Sequence, residues 1–295
     1  MVSSSGGSTL TAEPHPLANG FSMPELPEVE IARRSLERWL GRSAVTGAEA
    51  DPTRIFRKGE RSEFEALRGH LATTDRHGKV LLVALDSGQG FLSHLGMTGK
   101  WVRRSAGQAE PYSRARLRLA DGSVVHYRDT RLFGRIEPHP AERLQQLPDV
   151  RALGPDPWKT RLSGRQLQTA MGPTRLPIKV ALLDQSRLAG LGNIHASEAL
   201  WRARIHPARP TRSLQPAEWN GLATAVRASL RFALSAEDSE EIVYVEEPGG
   251  PNPFRVYDRA GQRCRRCRTP IRSMRQGGRV TYFCPHCQPV RRAKK

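Results

Sequence analysis

Four cysteines, Cys264, Cys267, Cys284 and Cys287, fall in two CxxC pairs with 16 residues between them, and the chain has no others. Nothing at the N-terminus reads as a secretory signal, so a disulfide framework is not expected. Each pair closes a tight knuckle, and two knuckles supply the four thiolates of one tetrahedral Zn2+ site. The intervening RTPIRSMRQGGRVTYF reads as a β-hairpin turning at Gln276-Gly277-Gly278. Four thiolates close the coordination sphere, so the metal is structural and has no open position for chemistry.

This hairpin lies in the most basic part of the chain. Lys and Arg outnumber Asp and Glu by 47 to 29, and Gly261–Lys295 carries eleven Lys/Arg and no acid. Such an excess calls for a polyanionic partner: nucleic acid first, an anionic membrane surface second. A solvated basic tail is the plain alternative, and the cysteines within the segment argue against it. No run of about 18 apolar residues suggests a membrane span. Residues 1–22 hold one acid (Glu13) and no Lys or Arg. They lack the basic region of a signal or transit peptide and read equally as a disordered extension or a misassigned start. A cytoplasmic protein is expected.

The remainder divides by pattern. Val29–Leu40 has helical spacing with early acids and Gly41 at its end. From about Ser43 to Glu137 the pattern is β, with KVLLVAL, GFLSHLGM and ARLRLADGSVVHY, and an Asp-Gly turn at 121–122. LPDVRALGPDPW reads as a linker. Helical patterns return from Leu162 to Leu234, including NIHASEALWRARIHP, which Pro207 limits. The expected organisation is an α+β multidomain chain. A β-sandwich domain with a leading helix spans 23–145, a linker 146–160, a helical domain with a following loop 161–254, a zinc ribbon 255–290 and a basic tail 291–295.

Two stretches carry chemistry. In MPELPEVE (23–30) a methionine precedes Pro24 and Glu25. As an N-terminus, Pro24 would be a secondary amine. It condenses with a carbonyl-level carbon to an iminium that cannot lose a proton to become a neutral imine, so the cation persists as an electron sink. The following helix N-terminus disfavours the ammonium form, and Glu25 can move protons beside it. In LAGLGNIHASE, Gly190 and Gly192 flank a tight turn whose N–H groups, with Asn193, could face a phosphate. A plain helix–helix connector is the alternative.

With MPELPEVE, RHGKVLL, HLGMTG, the DxRxFG form of DTRLFG, LAGLGNIHASE and the CxxC–x16–CxxC ribbon in hand, the chain resembles the bacterial formamidopyrimidine-DNA glycosylases from Met23 to about Gln288. The resemblance implies a β-sandwich, a helix–two-turn–helix domain and a zinc finger. It also implies excision of oxidised purines from double-stranded DNA and cleavage of abasic sites by β,δ-elimination; no obvious association segment appears in the sequence, so a monomer is expected. It assigns Pro24 as nucleophile at C1′, Glu25 as its acid/base partner, Lys79 to β-elimination and phosphate contact, and Arg279 to δ-elimination and phosphate binding. His94 and Asn193 become phosphate contacts, and Arg175 and Lys179 DNA-contacting basic positions. Met97, Arg131 and Phe133 become the side chains that fill the void left by an extruded base.

The chain departs from the family pattern in places. Thr130 and Leu132 replace a proline and an arginine, and Tyr112, a DNA-contact candidate, stands where a histidine is common. The 235–254 loop, expected to cap the everted base, carries Glu237, Asp238, Glu240, Glu241, Glu246 and Glu247 before Pro248 in place of a Gly-Thr-rich segment. A non-catalytic DNA-binding relative remains open as a second reading, because an amide nitrogen at Pro24 is no nucleophile. A basic zinc-ribbon module unrelated to repair is a third, and it would have no need of Pro24, Glu25 and Lys79 together.

Overall fold

The computed structural model describes residues 23–57, 61–236, 241–244 and 252–290. The N-terminal extension, the basic tail and most of the acidic loop lie outside the described residues. Helix α1 (Leu26–Leu40) starts from a capping box: Glu28 accepts the Glu25 N–H at 2.7 Å while the Glu25 side chain accepts from the first turn. Pro27 sits in that turn, where its missing N–H is harmless. The helix is buried along most of its length. Leu26 joins the helical-domain core, whereas Val29, Leu36, Trp39 and Leu40 join the sandwich core. One helix thus belongs to both domains.

The sandwich has two antiparallel four-stranded sheets. One runs β1 (Val45–Ala50), β6 (Ser113–Leu119), β7 (Val124–Arg128), β5 (Lys100–Arg104); the other runs β2 (Leu71–His77), β3 (Val80–Leu85), β4 (Gln89–His94), β8 (Arg135–Pro140). Helix α2 (Arg61–Glu65) supplies Phe64 to a run of packed rings through Phe91, Trp101 and Tyr127. Every residue of β3 is buried. Leu81, Val83 and Leu85 face the sandwich core, while Val80, Leu82 and Ala84 meet Leu144 and Val150 on the other side. This explains the unbroken apolar run of KVLLVAL.

The 146–160 stretch expected as a linker is packed. A 3-10 turn (Ala141–Gln146) and helix α3 (Pro148–Arg151) cover β3, and Asp156 is 2% exposed. The helical domain follows as α4 (Gly164–Met171), α5 (Ile178–Leu183), α6 (Asn193–Arg202) and α7 (Pro216–Ala236). Helix α6 stops before Pro207, because Arg204 takes a left-handed φ of 58°. Strands β9 (Arg272–Gln276) and β10 (Arg279–Phe283) form the hairpin, with Gly277 and Gly278 in the turn at φ of 54° and 74°. Among the described residues no helix is long and apolar enough to cross a membrane.

Candidate functional site

Glu25 is 1% exposed, and its carboxylate reaches beyond its own helix to cap α6 as well. Its oxygens accept from the N–H groups of Gly192 (2.8 Å), Ile194 (2.7 Å) and His195 (3.1 Å) at the start of α6. Of the N–H groups in the Gly190–Asn193 turn, Gly192 donates to Glu25 and Gly190 to Gln185 Oε1 at 2.9 Å, so these two do not face a phosphate as the spacing alone suggests. The Asn193 amide donates to Val280 O at 2.9 Å, tying α6 to the zinc hairpin, and its buried Oδ1 has no partner among the described residues. Close approach explains the glycines. A Cβ on Gly192 would lie 2.5 Å from the Glu25 carboxyl carbon, and one on Gly190 would lie 2.7 Å from Leu26.

Beside Glu25 lies a cavity of about 370 Å³ lined by Met23, Lys79, His94, Arg135, Leu183 and Arg279, among others. Lys79 sits at the β2–β3 turn and is 6% exposed; burial lowers its pKa, Glu25 opposes this and Arg279 adds to it. Burial, with Lys79, Arg135 and Arg57 nearby, takes His94 down to about 4. The ring is neutral at pH 7. Its Nδ1 accepts from Gly96 N at 3.0 Å, so Nε2 carries the proton and is a donor. Lys179, on α5, is fully buried with no partner for Nζ among the described residues; burial and Arg279 bring it down to about 8. Arg279 itself is exposed. Pro24 is buried, its nitrogen bonded to Met23 in the full chain. The pocket lining thus brings together the Lys79 amine, the neutral His94 imidazole and the Arg135 and Arg279 guanidiniums, while Glu25 and Lys179 lie outside that lining and act on Lys79 and Arg279 through their charge.

A second group gathers on adjoining loops. Met97 is half-buried, Arg131 exposed, and Phe133 40% exposed with the Arg131 and Arg54 guanidiniums 4.9 and 5.2 Å from its ring centre. Asp129, fully buried, holds these loops together. It accepts from Thr98 Oγ1 (2.6 Å), Arg131 N (3.1 Å) and Gly134 N (2.8 Å). Gly96, at φ 66°, packs on the Phe133–Gly134 backbone with no room for a Cβ. Tyr112 is 54% exposed, and its carbonyl accepts from Asp129 N at 3.1 Å. Arg175 is exposed ahead of α5 and does not line the cavity.

The four cysteine sulfurs lie within 4.8 Å of one another. A zinc tetrahedron with Zn–S near 2.3 Å has edges of about 3.8 Å, and the measured Cys267–Cys284 and Cys264–Cys287 separations are 3.4 and 4.0 Å. The set fits one structural zinc. Its ribbon is fixed to α6. Glu198 Oε1 accepts from the N–H groups of Arg255, Val256 and Tyr257, Gln288 donates to Ile205 O, and Arg266 lies 4.1 Å over the Trp201 ring.

Several organising residues escape sequence reasoning. Arg76, fully buried, bonds Glu30 Oε2 (3.0 Å), Gly78 O (2.9 Å) and Asp156, whose other contacts include Gly78 N at 2.8 Å. This cluster fixes the turn immediately before Lys79. Asp156 leaves one weak signal, an acid between two prolines in GPDPW. Asp129 and Glu198 leave none beyond belonging to the motifs.

Three family models match in succession: the formamidopyrimidine-DNA glycosylase N-terminal domain (residues 23–136), the H2TH domain (153–243) and the zinc finger found in FPG and IleRS (261–290). A formamidopyrimidine-DNA glycosylase of Desulfitobacterium hafniense is 38% identical over 286 residues, covering 90% of this chain and 100% of the relative. One of Streptomyces coelicolor is 39% identical over 280 residues, covering 90% and 98%. Among solved structures, the MutM (FPG) protein of Thermus thermophilus superposes with a TM-score of 0.75 at 34% identity, covering 90% and 98%. Lactococcus lactis Fpg in complex with an abasic site containing DNA gives 0.79 at 29% identity, covering 90% and 99%.

Proposed function

The chain belongs to the formamidopyrimidine-DNA glycosylase family, and we propose that it excises oxidised purines from double-stranded DNA and cleaves the resulting abasic site, with Pro24 as its mature N-terminus. The observation that carries this reading is the cavity beside Glu25. Met23 lines it together with Lys79, His94 and Arg279, so loss of Met23 leaves the Pro24 amine facing them. The start of the first family match at residue 23 supports the same reading.

In the proposed course, the Pro24 nitrogen lone pair forms a bond to C1′ of the damaged nucleotide. The bond to the base breaks, and the base leaves with its electron pair and a proton. Opening of the sugar gives the iminium, which acidifies C2′. Loss of that proton expels the 3′-phosphate, and a further elimination expels the 5′-phosphate. Glu25, held by three N–H groups, stands beside the nucleophile as the proton-transfer group. Lys79, with its pKa lowered by burial, is the amine suited to hold the flanking phosphate and serve β-elimination. Arg279 is suited to the phosphate and δ-elimination. His94, Asn193, Lys179 and Arg175 grip the backbone, and Met97, Arg131 and Phe133 fill the vacated stack, with Tyr112 at the margin. The zinc holds the hairpin that carries Arg279 and supplies no reaction step. The protein acts as a monomer on DNA in the bacterial cytoplasm.

The test is borohydride trapping on a duplex with one abasic site, comparing a chain that begins at Pro24 with the full chain. A covalent adduct from the Pro24 chain alone is expected. No adduct from a zinc-loaded, DNA-binding Pro24 chain overturns the enzyme reading in favour of a non-catalytic DNA-binding relative.

A further inference from the structure

The short segment 241–244, which follows α7, crosses to the sandwich and lies along β5, the open edge of its sheet. Glu241 pairs with Arg104 at one end of that strand. Ile242 is 1% exposed and joins the sandwich core. Its carbonyl accepts from Lys100 Nζ at 3.3 Å. Val243 points outward, 51% exposed, as alternation in an extended segment requires. Tyr244 turns back in: its ring lies 5.6 Å from Lys100 Nζ and its hydroxyl donates to Gly99 O at 2.6 Å. An amine such as Lys100, 8% exposed, is costly to bury without such partners. A lysine suited to guard an open sheet edge instead becomes an anchor for the helical domain.

Gly99 closes the turn that carries Met97. Its N–H donates to Leu95 O at 2.9 Å, and a Cβ there would meet the Tyr127 hydroxyl at 2.2 Å, so this backbone has one place to sit. The next residue back, Thr98, bonds Asp129, and Asp129 holds the Arg131 and Gly134 N–H groups. A continuous polar path therefore runs from Tyr244 through the Met97 turn to the Phe133 loop.

We propose that residues 241–244 form an interdomain strap, with Tyr244 a positioning residue that sets the Met97 turn for base extrusion. The proposal rests on the reading of Met97 as a void-filling side chain. It assigns Tyr244 to base removal and not to strand cleavage. Extruding an intact base opens the stack and demands a well-placed filler, whereas a preformed abasic site offers no base to extrude.

The test uses the zinc-loaded chain beginning at Pro24 with Tyr244→Phe, Met97→Ala and the double variant. Three readouts apply: single-turnover base release from an oxidised-guanine duplex, strand cleavage of an abasic duplex, and hydrogen exchange at residues 96–99. Loss of one hydrogen bond predicts that Tyr244→Phe releases base about five- to tenfold more slowly, cleaves the abasic duplex at an unchanged rate and exchanges faster at 96–99. The double variant should be no slower than Met97→Ala, because both act through one side chain. Unchanged base release in Tyr244→Phe, equal losses on both substrates, or losses that multiply in the double variant would each overturn the proposal. If Met97→Ala leaves base release intact, the void-filling reading fails. The exchange data then decide the strap: faster exchange at 96–99 in Tyr244→Phe retains it, and unchanged exchange removes it.

Discussion

Replacing Asp156 by asparagine exchanges one carboxylate oxygen for an NH2 group at a site where donors already converge. Arg76 and the Gly78 N–H both point at Oδ2, while Trp158 and Lys159 N–H groups bond Oδ1. Asparagine can serve one set only. Arg76 keeps Glu30 and Gly78 O but loses its partner across the domain boundary. Removing one member of a buried pair costs about 3–5 kcal/mol, which for a chain of this size lowers the melting temperature by roughly 10 °C. The sign of the pH dependence follows from the carboxyl. Burial raises its pKa, and Arg76 with the Gly78 and Lys159 N–H groups more than reverses this, leaving it below the ordinary 3.8. A depressed folded pKa stabilises above the unfolded value and is lost as pH falls through the folded one. The gap between native and Asp156→Asn proteins should therefore be full at pH 7 and shrink only below about pH 3.9. Urea unfolding followed by tryptophan fluorescence measures it. Acid strips zinc from both proteins alike, so their difference is the readout. A difference under about 0.5 kcal/mol at pH 7, the size of an ordinary surface substitution, or one that persists undiminished in acid, would refute the argument.

Gly192→Ala places a methyl 2.5 Å from the Glu25 carboxyl carbon; abasic-site cleavage should fall about 100-fold, as for a misplacement near 1 Å, with zinc content unchanged by atomic absorption. Chelation should release one zinc per chain and weaken duplex binding, with Trp201 fluorescence reporting loss of the Arg266 contact 4.1 Å above its ring; full binding by the metal-free protein would rule out the hairpin's part in the DNA grip. Lys179, lowered to about 8 by burial and Arg279, gives up its proton as pH rises through that value. Duplex affinity should therefore weaken between pH 7 and 9 in the native chain and stay flatter in Lys179→Met, measured by fluorescence anisotropy.

The zinc quartet was legible because its ligands lie in two local pairs and its hairpin turn needs left-handed glycines, both of which sequence spacing exposes. The β3 run was legible as a buried strand because apolar packing on both faces leaves no alternation. What stayed hidden are bonds whose partners are far apart in the chain. The N–H groups of Gly192, Ile194 and His195 serve Glu25, Arg76 serves Asp156, and Glu198 serves the backbone of 255–257. None of these acceptors alters the local pattern from which an element is read.

The acid at position 25 gives the reason these distant contacts matter to chemistry. A carboxylate free to rotate beside an amine would take whatever proton solvent offered. Held by Gly192, Ile194 and His195, Glu25 is fixed by the helical domain, while Lys79 follows a turn that Arg76 of the sandwich and Asp156 across the boundary hold together. Leu26 lies in the helical core and Val29 in the sandwich core, so Pro24 precedes the helix on which both domains close. Domain opening would separate the carboxylate's donors from the lysine's turn. The proposed reactive arrangement would therefore depend on contacts from both domains, as would the strap proposed at Tyr244.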